Sequence, residues 1–255
     1  MDIVLQDGER IDSVCEGISL IQKKNGFSYG TDALLLAAFI RKGAKTAVEF
    51  GSGTGIISLL CEKYKNFSKI YSVEVQEEYY DLLTRNVALN NSGITTINDD
   101  IRNLKTEYFG TEADVVFSNP PYMKTTSGRS NINDGKNIAR HEVMGCIDDF
   151  CASAGKILKH GGLFYCVYRP DRAMDLLCAM RKYDLEPKRM TFVYPYVDAR
   201  PCLMLVEAKK GASASMFTTR PFIIFNNKSK DNSDFTNDMQ RVYKECALDD
   251  EFQIL

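Results

Sequence analysis

Three short stretches of this chain combine residue types that could do chemistry. The first is Ser118-Asn119-Pro120-Pro121-Tyr122, which follows the apolar run Val115-Val116-Phe117. Proline lacks an N–H and fixes φ, so two in succession end a strand and stiffen the turn behind it. Such a turn displays an amide, backbone carbonyls and an aromatic ring. The second stretch, Glu49 to Gly55, places Gly51, Gly53 and Gly55 in a G-x-G-x-G turn, where glycine allows a ligand to approach the backbone. Glu74 closes the next apolar run about twenty residues on, with Val75 behind it, and its carboxylate is placed to accept both hydroxyl hydrogens of a ribose. The dinucleotide fingerprint G-x-G-x-x-G is not met, because position 56 is Ile. NAD is therefore disfavoured, and a nucleoside without a pyrophosphate fits better. In the third stretch, Asp100 could accept from the exocyclic amine of an adenine with Ile101 against its ring. It could equally cap a turn, and spacing alone leaves both readings open.

These loops need a scaffold that brings them together. Residues 47–50 read as a strand entering the glycine turn, and Ile56, Ile57, Leu60 and Tyr64 recur at helical spacing behind it. Further strands are expected at 69–75, 93–99, 113–119 and 163–168. Helices are expected at 76–91, 148–162 (stopped by Gly161 and Gly162) and 171–183, and a closing hairpin within 189–210. Strands and helices that alternate in this way, with apolar β-branched strands, predict an α/β fold. It is a Rossmann-like, mostly parallel sheet of seven strands with an antiparallel edge hairpin and helices on both faces. Ligands in such sheets bind outside the carboxyl ends of the strands, where strand order reverses. All three loops lie at those ends.

Composition narrows the class. The chain has 44% hydrophobic and 26% charged residues, ordinary for a globular protein, and no apolar run long enough to span a bilayer. The start lacks the basic and apolar regions of a secretory signal, so a cytoplasmic location is expected. Eight cysteines form no CxxC pair and the two histidines are far apart, so neither a metal site nor a disulfide framework is expected. Net charge is −2, but it is unevenly spread: −5 over residues 1–123, +8 over 124–230 and −5 over 231–255. A basic middle segment is a mark of a surface that faces a polyanion.

Taken together, Val48–Gly55, Val73–Gln76, Asn98–Ile101 and Ser118–Met123 resemble the class I S-adenosylmethionine-dependent methyltransferases, in that family's order. Three further stretches, 20–39, 138–142 and 202–211 with Ile224-Phe225-Asn226, are similar to the bacterial tRNA(Val) adenine-N6 methyltransferases of the small-methyltransferase-domain type. The similarity spans about residues 15–245. It implies S-adenosyl-L-methionine as cofactor and the adenosine just 3′ of the anticodon of valine tRNA as acceptor. It implies Asn119, Pro120 and Tyr122 as catalytic residues. Gly30, Asp32, Glu49, Gly51, Gly53, Gly55, Glu74, Val75, Asp100, Ile101 and Asn119 are then expected around the cofactor, with Gly30 and Asp32 near its amino-acid end. Pro121, Tyr122, Lys124, Arg129, Lys136 and Arg140 are expected to face the RNA. Asp32 could instead cap the helix that follows it.

The chemistry accounts for the motif. An adenine N6 is a poor nucleophile because its lone pair is delocalised into the ring. Acceptance of its two N–H groups by the Asn119 side-chain oxygen and the Pro120 carbonyl orients that lone pair and stabilises the charge that develops on nitrogen. Tyr122 can stack on the target base. Residues 1–30 are expected to be an extension that packs on the core, 31–210 the methyltransferase domain and 211–255 a C-terminal extension. Protein glutamine-N5 methyltransferases use the same motif on an amide but carry a helical domain ahead of the core. A ribosomal RNA guanine-N2 methyltransferase stays open on these residues, as does a non-catalytic module that binds S-adenosylmethionine or RNA. Nothing marks an obligate protein partner.

Overall fold

The computed structural model describes residues 5–24, 30–121, 145–228 and 234–253. The chain begins with a hairpin, β1 (Glu9–Cys15) and β2 (Ile18–Lys23), followed by helix α1 (Thr31–Phe39). Then come β3 (Thr46–Phe50), α2 (Ile56–Lys65), β4 (Lys69–Val73), α3 (Glu77–Leu89), β5 (Thr95–Ile97) and β6 (Ala113–Ser118). The second half holds α4 (Ile147–Ile157), β7 (Leu158–Tyr168), α5 (Ala173–Lys182), β8 (Leu185–Tyr194) and β9 (Leu203–Lys210). The short strands β10 (Phe217–Thr218) and β11 (Phe222–Ile223) and helix α6 (Asn237–Glu245) complete it.

Seven strands lie in the order β5-β4-β3-β6-β7-β9-β8, and β10 and β11 each pair in parallel with β8. The expected hairpin stands at this end, with β9 antiparallel between β7 and β8. Central strands show why they read as unbroken apolar runs. Ala47, Val115 and Phe117 join one core, while Val48, Phe50 and Val116 join the other. Side chains alternate across a strand, so a sheet covered on both faces needs an apolar residue at nearly every position. Helix α1 is buried along its length from Ala33 to Phe39, which explains a sequence apolar on all sides.

Chain order sets the site. From β3 the chain steps outward to β4 and β5, then returns to the other flank of β3 as β6. The reversal leaves a crevice between the carboxyl ends of β3 and β6. Phe50 and Ser118 are paired across this boundary, and Ser118 Oγ donates to the Phe50 carbonyl at 2.8 Å. The glycine turn and the Asn-Pro-Pro turn therefore start side by side.

One feature departs from the sequence expectation. Helix α4 ends at Ile157 and passes directly into β7, because Leu158 already pairs with Ala113 at the foot of β6. Gly161, at φ +77°, thus bends a strand instead of stopping a helix. The N-terminal segment is a hairpin laid along α3, and a helix residue acts as its missing strand partner. Asn86 accepts from the Ile21 N–H at 2.6 Å and donates to the Ile21 carbonyl at 3.1 Å, as a neighbouring strand would. Asn90 does the same for Ser19 at 3.0 and 2.8 Å. At the other end, Met239, Val242 and Phe252 belong to the same hydrophobic core as α1 and α2.

Candidate active site

The glycine turn is built on three left-handed residues, Gly51, Gly53 and Gly55, at φ +65°, +54° and +84°. Glycine adopts these values at the least steric cost. At Gly55 there is also no room, since a Cβ would lie 2.6 Å from Leu83 Cδ1. At Gly53 the opposite holds: no atom lies within 4 Å of where a Cβ would stand, so this backbone faces open space.

Glu74 lies beside that space. It is 4% exposed, and its two oxygens accept the Gly53 and Gln76 N–H groups, each at 2.9 Å. Asn98 donates to the Glu74 carbonyl at 2.8 Å, and Val75 is half-buried next to it. Each carboxylate oxygen keeps a second lone pair. A carboxylate held this way beside an open glycine backbone fits a ribose diol, with the rest of a nucleoside running over Gly53.

Asp100 takes the capping role that spacing left open. Its Oδ1 accepts the Arg102 N–H at 2.9 Å at the start of a short 3₁₀ turn, and its carboxylate also grips the Arg102 guanidinium. Burial raises its proton affinity, but the Arg102 contacts outweigh this and leave the carboxyl below its ordinary value. Ile101 is 8% exposed and packs in the core.

Glu49 lies beneath the glycine turn, bonded to Ser58 at the start of α2. At 1% exposed it accepts from the Ser58 N–H at 3.2 Å and from the Ser58 hydroxyl, which is in turn 2.6 Å from Ser72 Oγ. The parity of β3 puts Glu49 on the face of Ala47, towards α2. Burial is the main cause that pushes its carboxyl up, from 4.5 to about 8, with the Ser58 bonds opposing. Below 4.5 the group is protonated whether the chain is folded or not, and its contribution to stability is whole. As pH rises from there towards 8, only the unfolded chain releases the proton, so that contribution is lost. We expect Glu49→Gln to match the parent near pH 5 and to exceed it at pH 8 by on the order of a few kcal/mol. Urea melts at the two pH values measure this; parallel profiles for the two proteins would show that Glu49 is ionised in the fold.

Asn119 is half-buried and Pro120 buried at the end of β6. The Asn119 Nδ2 donates to Asp32 Oδ2 at 2.9 Å, and Asp32 Oδ1 accepts the Ala33 N–H at 2.9 Å. Asp32, in the first turn of α1, is thus joined to the Asn-Pro-Pro turn across 87 positions of sequence. Beside Pro121 opens a groove of about 410 Å³, lined among others by Cys146, Tyr168, Arg172, Cys178 and Lys182. They come from the turn before α4, the end of β7 and one side of α5. Arg172 pairs with Asp175, and Lys182 with Asp148 at 2.7 Å. Two further basic side chains are also paired: Lys23 with Glu78, and Arg181 with Glu186 at 3.1 Å. Tyr122, Lys124, Arg129, Lys136 and Arg140, with His141 and Glu142, lie outside the described residues. Among the described residues no cluster of three metal-ligating side chains occurs, and no helix is long and apolar enough to cross a membrane.

Residues 23–182 match the family model described as methyltransferase small domain. A relative from Phocaeicola vulgatus, named tRNA1(Val) (adenine(37)-N6)-methyltransferase, is 30% identical over 71% of this chain and 76% of its own length. A putative protein N5-glutamine methyltransferase from Methanocaldococcus jannaschii is 32% identical over 58% of this chain and 74% of its own. Among solved structures, a predicted O-methyltransferase from Agrobacterium tumefaciens shares the fold at TM-score 0.69 and 20% identity, covering 86% of this chain and 98% of its own. A Methanocaldococcus jannaschii protein crystallised with AdoMet shares it at TM-score 0.54 and 16% identity, covering 81% and 87%. The match to the family model covers both turns that frame the crevice. The chain belongs to the methyltransferase small domain family and is an S-adenosylmethionine-dependent N-methyltransferase.

Proposed function

We propose that this chain transfers a methyl group to the exocyclic N6 of an adenosine in tRNA, at the position next to the anticodon of valine tRNA. The observation that carries the reading is the Asn119-Pro120 turn, fixed at the crevice with the amide held from behind by Asp32. The name of the Phocaeicola vulgatus relative supports the choice of acceptor, as does the net +8 of residues 124–230.

Glu74 would hold the ribose, and the turn at Gly53 would run beneath the nucleoside. When bound, S-adenosylmethionine supplies an electrophilic methyl group on a sulfonium. Asn119 Oδ1 and the Pro120 carbonyl accept the two N–H groups of the target amine, which turns its lone pair out of conjugation and towards that methyl. Both acceptors also stabilise positive charge as it develops on nitrogen. The methylated ammonium is acidic enough to lose its proton to solvent, so the site needs no strong base. Pro120, buried and without an N–H, keeps the acceptor geometry rigid.

Glu74→Ala is expected to weaken cofactor binding about tenfold to a hundredfold, as loss of charge-assisted bonds does. Calorimetric titration with S-adenosylhomocysteine measures it; an unchanged Kd would remove Glu74 from the ribose site. The acceptor is tested by incubating the protein and methyl-labelled S-adenosylmethionine with unmodified valine tRNA, other tRNAs, ribosomal RNA and a release factor. Mass spectrometry of the digests should find N6-methyladenosine in the valine tRNA alone. Label confined to glutamine in protein would favour the second reading, to which the Methanocaldococcus jannaschii relative points. Label in guanosine would discard the adenine reading.

A further inference from the structure

An asparagine amide has two ends of similar shape and opposite hydrogen-bonding sense. Only the oxygen can accept an N–H from an incoming amine; the NH2 end would present two donors to a donor. A catalytic Asn119 therefore works in one of its two flip states, and something must choose that state. Burial alone does not, because the two ends have nearly the same size.

The contact from Asp32 favours one of the two flip states. A carboxylate accepts and cannot donate, so Asp32 Oδ2, 2.9 Å from Asn119, demands the NH2 end and turns Oδ1 to the other side of the amide. The carboxylate is itself fixed. Its second oxygen is bound to the Ala33 N–H at 2.9 Å, and it stands on α1, whose residues from Ala33 to Phe39 are all buried. Gly30 completes the arrangement. Its backbone is ordinary, at φ −105° and ψ 176°, so no strain calls for glycine here. Space does: a Cβ on Gly30 would lie 2.6 Å from Asp32 Oδ1.

From this we infer that Asp32 is a positioning residue which sets the flip state of Asn119, and that Gly30 is glycine to leave room for its carboxylate. The inference rests on the reading of Asn119 as the acceptor of the target amine. It assigns the Gly30-Thr31-Asp32 stretch to the methyl acceptor's side of the reaction, where the sequence had pointed to the amino-acid end of the cofactor.

The test uses the full chain with Asp32→Asn and Gly30→Ala. Asparagine at 32 keeps the shape but has one acceptor for two donors, so Asn119 is no longer held in one state. Alanine at 30 displaces the carboxylate without touching Asn119. Three quantities are read: single-turnover rate on the methylated RNA, Kd for S-adenosylhomocysteine by calorimetry, and the 15N-resolved side-chain NH2 pair of Asn119, assigned by its loss in Asn119→Ala. In the parent one proton of the pair should be downfield and slow to exchange. Both variants should lose that signature and slow turnover about tenfold to a hundredfold, the cost of one misplaced charge-assisted contact. Kd should stay within about threefold and thermal midpoint within about 3 °C. A Kd that rises in step with the loss of rate would make Asp32 a cofactor ligand and overturn the inference. So would an NH2 pair that is unchanged in Asp32→Asn, or a lost signature with full turnover. A parent protein that shows the protected proton but methylates no RNA would instead count against the proposed acceptor, and a glutamine-containing release factor then serves as substrate for the same comparison.

Discussion

Replacing Asn119 by alanine should lower the single-turnover rate at least about a thousandfold while S-adenosylhomocysteine affinity stays within a few fold. The size follows from what the residue does in the transition state. Removal of one preorganised partner of a developing charge costs on the order of 3–4 kcal/mol, and the amide also orients the nucleophile's lone pair, which adds to the barrier. Stability should change little. Asp32 loses one donor but keeps the Ala33 N–H at 2.9 Å, and the cost of such a loss is on the order of 1 kcal/mol for a half-buried group. Structure adds a second, less obvious expectation. Aspartate at 119 could in principle accept both amine N–H groups, yet it would set a second carboxylate against Asp32, where the amide now stands at 2.9 Å. Asn119→Asp should therefore fail to restore turnover. Loss of cofactor affinity together with turnover in Asn119→Ala would show that the residue supports the cofactor site and does not act on the acceptor.

Breaking the ion pair under the sheet edge should have the largest effect on stability. Arg189 is fully buried on β8 and bonds to Glu207 Oε2 at 2.7 Å and to the Phe39 carbonyl at 2.8 Å. It also reaches the Phe252 carbonyl at 2.6 Å and Gln253 Oε1 at 3.0 Å, and its guanidinium lies 3.7 Å from the centre of the Phe39 ring. One side chain thus ties β8, β9, the end of α1 and the C-terminal residues together. Arg189→Met keeps the bulk and deletes every one of these bonds. It leaves Glu207, 1% exposed, with Arg41 at 3.0 Å, and takes the arginine donor from two carbonyls. Removal of one partner of a buried pair costs about 3–5 kcal/mol, which in a chain of this size is a fall in midpoint of roughly 10 °C. Differential scanning calorimetry reads the midpoint, and limited proteolysis should cut first near the C terminus. Double replacement with Glu207→Met should recover part of the loss, because the orphan charge goes with it. A midpoint within about 2 °C of the parent would show that apolar packing of Met239, Val242 and Phe252 holds the segment without the arginine.

Much of the frame around the crevice is legible in the sequence. Hydrophobic period, a glycine turn behind a strand and two prolines behind another are local signals, and they place β3, β4, β6 and the crevice between them correctly. Asp100 is balanced between two roles by spacing, and the Arg102 contact shows the cap in place. Glu49 adjoins the glycine turn in sequence, and the alternation of β3 turns its side chain under that turn to Ser58, a contact that spacing does not show. The hairpin along α3 escapes notice because its pairing partners are the side chains of Asn86 and Asn90, which resemble ordinary polar positions of an amphipathic helix.

Local sequence therefore specifies the set of elements and the two turns that frame the crevice. Each depends on residues within about ten positions of one another, where period and turn geometry act. Only the tertiary structure decided which far-apart polar groups meet: Asp32 with Asn119, and Arg189 with Glu207 and the C-terminal carbonyls. Such pairs have no period and no fixed spacing. They are selected because a buried donor or acceptor must find its partner, and the partner is whichever residue the packing of α1 against the sheet brings within reach.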